Sequence, residues 1–139
     1  MAVERDFIKR EIEKLVLVLT SLIDKMSRLK SGNTQNSMEE VNQTLKSAFD
    51  LKLEDFNEMD SQDFLKKIRN LHESHIEKLI ELLYTMVQSA ELTEVNRNYN
   101  KAMLSEKAVL LIDFLHANST TFSVERMTIK NELQAYLEE

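Results

Sequence analysis

From Ile8 onward the apolar residues Ile8, Ile12, Leu15, Leu19, Leu22, Met26 and Leu29 follow one another in steps of 4, 3, 4, 3, 4 and 3. Such steps keep side chains on one stripe of an α-helix, and their alternation is the seam of a helix packing along other helices. A strand would scatter the same residues over both faces, so the N-terminal segment has one productive way to fold. Val16, Leu17, Val18 and Ile23 lie off the seam. A helix apolar on more than one side predicts contact with more than one neighbour, so it is either central in the core or part of a dimer interface.

The rest of the chain offers little material for anything but helices. Gly occurs once, at position 32, and Pro and Cys are absent. Tight turns of positive φ, glycine-rich phosphate cradles and disulfides are therefore nearly unavailable to it, and thiol catalysis and cysteine-based zinc sites are excluded. Lys30-Ser31-Gly32-Asn33 predicts the end of the first helix, with Gly32 as its left-handed cap. Nowhere do four residues alternate convincingly with period two, so no sheet is expected.

Asn33 to Asn36 reads as a loop, and Ser37-Met38-Glu39-Glu40 as a capping box opening a second helix from Met38 to Phe49. The acidic stretch Leu51 to Asp60 reads as an irregular connector, after which Asp60 or Ser61 caps a short helix through Phe64, Leu65 and Ile68. Ile76, Leu79, Ile80, Leu83, Met86, Val87 and Ala90 predict a helix ending near Glu91. Thr93 then caps a helix carrying two stripes, Val95, Tyr99 and Ala102, and Leu104, Ala108, Leu111 and Leu115. That helix is either long with two partners or bent near Ser105. Ser123 caps a last helix with Ile129, Leu133, Tyr136 and Leu137. At 139 residues, one domain spanning 1–139 is expected.

Two segments echo each other 54 positions apart: Glu40-Val41-Asn42 followed by Ala48, and Glu94-Val95-Asn96 followed by Ala102. Self-similarity of this kind marks stacked helical hairpins that bury their apolar faces against neighbours. Both segments resemble the second helix of a tetratricopeptide repeat. Leu82 to Leu104 resembles one full unit, with Tyr99-Asn100-Lys101-Ala102-Met103 in place of the consensus tyrosine-x-lysine-alanine-leucine. Through Asp6 to Glu13 and Thr121 to Arg126, the whole chain is similar to a group of short bacterial tetratricopeptide-like proteins of unknown function. The resemblance implies an all-α fold of antiparallel, tetratricopeptide-like hairpins with five to seven helices, and implies no activity. It also makes Asn42 and Asn96 candidate peptide-binding residues, because an amide both donates to and accepts from a peptide backbone. The plainer reading is two polar residues on outer faces.

Other constellations fail on spacing. In His72-Glu73-Ser74-His75 the histidines are three apart, whereas a zincin helix needs four, so two surface histidines at a helix start are expected. Asp113 and His116 have the carboxylate-x-x-His spacing of di-iron bundles, but that site needs two such motifs, and a His near a helix C-terminus needs no metal to explain it. A calcium loop from Asp55 would need Gly at its sixth position and Glu at its twelfth, which are Asp60 and Lys66. No Ser or Thr has a recognisable His partner. No enzyme activity, cofactor or metal is expected.

The net charge of −6 is concentrated in residues 31–63, which carry −6, against +2 for residues 1–30 and −2 for residues 64–139. Without clustered Lys and Arg, nucleic acid is not an expected partner. The most apolar run, Leu15 to Leu19, follows Glu4, Asp6, Glu11 and Glu13 and is too short to span a bilayer, so no membrane partner and a cytoplasmic location are expected. The function these features suggest is a non-catalytic protein- or peptide-binding adaptor. One alternative is self-association into a homodimer through the first helix. Another is a small-molecule or metal-binding bundle around His72, His75 or His116.

Overall fold

The computed structural model describes residues 2–27, 34–89, 101–118 and 123–138, and among these the protein forms seven α-helices and no strand. They are α1 (Ala2–Ser27), α2 (Thr34–Phe49), α3 (Leu53–Glu58), α4 (Ser61–Ile68), α5 (Glu73–Ser89), α6 (Lys101–Asn118) and α7 (Val124–Glu138). The expected all-α class is therefore the observed one. Among the described residues, no helix is long and apolar enough to cross a membrane. Gly32, Ala90, Thr93, Val95 and Tyr99 lie outside the described residues.

α5 is the central helix. Ile76, Leu79, Ile80, Leu82, Leu83, Met86 and Val87 are all buried, over a face nearly half its circumference wide, and α1 and α6 pack along it most extensively. α1, expected to be either central or part of a dimer interface, is less enclosed: among the described residues its seam is fully covered from Leu19 to Met26 and half-buried or exposed before that.

Side-chain contacts fix the directions of the helices. His72 and Ser74, at the start of α5, lie beside Ile8 to Glu13 of α1, and both helices then run on together, so they are parallel. α2 is antiparallel to α1: Lys25 meets Glu40 at 3.0 Å, while Ala48, near the other end of α2, lies by Ile12 and Leu15. α6 is antiparallel to α5, since its C-terminal Phe114 and Asn118 lie beside Glu73 and Ile76. α7 packs along α6, with Lys130 on Asp113 at 2.7 Å, and reaches α5 through Arg126 to Glu77 at 3.6 Å and through Tyr84 to Glu132.

The result is two antiparallel hairpins, α1/α2 and α5/α6, closed by α7, an alternation compatible with tetratricopeptide-like stacking. The two echoed segments do not share one environment throughout. Val41 is fully buried and Ala48 packs against the core, but Ala102 is exposed.

The acidic connector holds a short helix, α3, rather than being irregular throughout, and α4 follows it from Ser61 to Ile68 as expected. Its carboxylates obscure an apolar face: Phe56 of α3 and Phe64 of α4 are fully buried and meet edge to face, ring centroids 5.2 Å apart at 66°. The Asp55 carboxylate starts α3 by accepting the Lys52 backbone N–H at 2.9 Å. α3 and α4 both lie against α6, where the ammonium of Lys107, only 2% exposed, sits 5.6 Å from the Phe64 ring centroid.

The start of α2 differs from expectation, whereas its end at Phe49 and the start of α7 agree with it. α2 begins at Thr34, so Ser37 to Glu40 lies within the helix instead of capping it. With neither Gly nor Pro after Asn33, nothing stops the helix extending a turn further back. α2 ends in a left-handed αL cap: Asp50 takes φ 54°, its N–H donates to Lys46 O at 3.1 Å, and Leu51 N–H reaches back to Leu45 O at 3.3 Å. Leu45 and Leu51, both fully buried, supply the apolar clasp that accompanies the motif. α6 is helical through Ser105 without a break. Ser123 caps α7 as expected, its Oγ accepting the Arg126 N–H at 3.2 Å.

Candidate functional site: an apolar groove between α1 and α2

The seam of α1 divides into a covered half and an open half. Leu19, Leu22 and Met26 are buried, Ile12 and Leu15 are half-buried, and Ile8 and Val18 are 57% and 48% exposed. α5 begins level with residues 8–13 of α1, so among the described residues its cover over the seam starts there and is complete only from Leu19 on. On the other side, α2 presents Thr44, Ser47 and Ala48, whose side chains are too short to reach across. The consequence is an open groove of about 700 Å³.

Ile8, Ile12, Leu15 and Val18 of α1 and Ala48 of α2 give this groove its apolar lining. Glu11 and Lys14 of α1 and Gln43, Thr44 and Ser47 of α2 supply polar groups along it. It continues as a depression of about 300 Å³ past Leu17 and Ser21 toward Glu40, and another of about 440 Å³ past Lys9 and Glu13 toward His72 and Ser74. Leu17, beside the first of these, is 70% exposed.

His75 closes one side of the groove. It is buried, not on the surface as the sequence suggested, because the third residue of α5 faces α1 and not solvent. Its Nε2 lies 3.1 Å from the Ile12 carbonyl, which can only accept, so Nε2 carries the hydrogen. Its ring also meets those of Phe49 and His72, at 6.0 and 5.9 Å between centroids. His72 is exposed and caps α5, with Nδ1 accepting the Ser74 N–H at 3.1 Å. Both histidines thus hold the fold through their ring nitrogens. His116 is half-buried in the last turn of α6, and Asp113 is engaged by Lys130. Among the described residues no three His, Cys, Asp or Glu side chains are grouped to hold a metal ion.

No family model, curated protein or solved structure matches this chain.

Asn42 is half-buried on α2 and does not line the groove, which takes Gln43, Thr44 and Ser47 from that helix instead. Asn96 lies outside the described residues. The groove residues were missed from sequence because each is unremarkable alone. The available signal was a pairing: apolar positions 8, 15 and 18 on one helix, and small residues at 44, 47 and 48, spaced to share one face, on the next.

Proposed function

We propose that this protein is a non-catalytic binding module, an adaptor built on tetratricopeptide-like hairpins, whose α1–α2 groove receives the apolar face of a helix. The observation that carries this reading is the contiguous apolar lining left open beside exposed Ile8 and Val18. Contiguous exposed apolar surface in a folded domain marks an interaction site, and a groove between two helices suits an amphipathic helix presenting anchors at i, i+3, i+4 and i+7. From Ile8 to Val18 the groove runs about 15 Å along α1, enough for nearly three turns of a bound helix. Covering its three or four apolar side chains is worth about 1.5–3 kcal/mol each before the cost of association, which suits a micromolar contact.

A binding role is also favoured by the polar groups at hand. The imidazole nearest the groove has its Nε2 hydrogen engaged by a backbone carbonyl, and Thr44 and Ser47 lie across from aliphatic side chains of α1.

The test is site-specific photo-crosslinking in cells of the natural source. A photoreactive residue at Thr44 should capture a protein, Val18→Glu in the same chain should remove that capture while leaving the helical circular dichroism unchanged, and a photoreactive residue at exposed Asn131 on α7 should capture nothing comparable. Equal capture from positions 44 and 131 would overturn the assignment of the groove.

A further inference from the structure

We propose that the helix received by the groove is α1 of a second copy of this chain, in a two-fold antiparallel dimer. This rests on the groove being the binding surface, and it names the occupant. The support is charge complementarity of a particular kind. The carboxylate and the ammonium lining the groove are those of Glu11 and Lys14, which are both exposed and three residues apart on the same helix.

A two-fold axis between residues 12 and 13 of two antiparallel α1 helices places each Glu11 against Lys14 of the other copy, twice over. In an isologous contact, whatever residue i does to residue j is repeated by j to i, so one register satisfies both charges in both chains. A parallel arrangement in register would set Glu11 on Glu11 and Lys14 on Lys14, which charge repulsion disfavours. The antiparallel register also brings Ile8 of one chain close to Val18 of the other, two groove-lining apolar residues that the protein's own core leaves exposed. Thr44, Ser47 and Ala48 complete the fit from α2, since short side chains there leave room for a second helix to approach.

The full chain tests this directly by sedimentation or light scattering between about 1 and 500 µM, a range that brackets a micromolar dissociation constant. The wild type should rise with concentration from the 16.3 kDa of one chain toward twice that mass. Lys14→Glu sets like charges opposite each other at both ends of the axis and should weaken the dimer about tenfold. Adding Glu11→Lys to it restores opposite charges in reversed order and should bring the affinity back to within about threefold of wild type. All three chains should give the same circular dichroism, because both positions are solvent-exposed.

A mass of one chain at every concentration would overturn the proposal. So would a dimer indifferent to Lys14→Glu, or one that the double reversal fails to rescue. If the chain stays monomeric while the photoreactive residue at 44 still captures a different protein, the occupant is wrong and the groove assignment stands. If a dimer forms but cross-links through Asn131 instead of Thr44, both are wrong.

Discussion

Replacing Lys107 by Met should make the protein more stable. The side chain is 2% exposed on α6, and the partner its ammonium meets among the described residues is the face of Phe64, 5.6 Å from the ring centroid. A desolvated cation–π contact returns about 2 kcal/mol, whereas withdrawing an ammonium ion from water still costs several kcal/mol after relaxation. Met has nearly the same length and flexibility, carries no charge, and keeps a sulfur–aromatic contact worth about 1 kcal/mol. The expected net gain is about 2 kcal/mol, or a rise in Tm of roughly 6–10 °C for a chain of this size. Thermal and urea unfolding followed by circular dichroism would measure it. Lys107→Glu gives the contrast, because it sets a carboxylate against the electron-rich ring face and should destabilise by more than about 3 kcal/mol. A Lys107→Met variant less stable than wild type by more than about 1 kcal/mol would refute the reasoning and show that the ammonium has a stronger partner than the ring.

Two further outcomes follow from the packing. Leu19→Lys buries a charge at a fully covered position and should abolish cooperative unfolding, whereas Val18→Lys, one residue away but 48% exposed, should change stability by less than about 1 kcal/mol, as urea midpoints would show. Asp50→Gly removes a side chain from a residue held at φ 54° and should raise stability by up to about 1 kcal/mol, since the exposed ion pair it gives up with Lys67, 3.9 Å away, contributes little; a loss of stability would mean that this pair matters more than the backbone.

Helix class and most helix positions were legible in the sequence because apolar spacing reports which residues share a face. The seam of α1, the stripe of α5 and the cap at Ser123 are of this kind. What spacing cannot report is where one helix runs out of neighbours. Ile8 and Leu19 belong to the same seam, yet one is exposed and the other buried, because the start of α5 sets how far the cover extends. The acidic connector was misread for a related reason: its carboxylates dominate the composition, but Phe56 decides the structure by meeting Phe64 of the next helix inside the core. His75 was expected on the surface because it sits in a polar tetrapeptide, and only the neighbouring α1 makes it a buried donor. The echoed tripeptides carried the hairpin idea, but Ala48 and Ala102 differ in exposure, so local likeness did not ensure matching surroundings.

The overhang of α1 beyond α5 separates two selective pressures along a single rod. Changes toward its C-terminal end are judged by whether the chain folds at all. Changes at the exposed positions 8–11 touch little of the core, so sequence there can drift or be re-engineered with little risk to the scaffold.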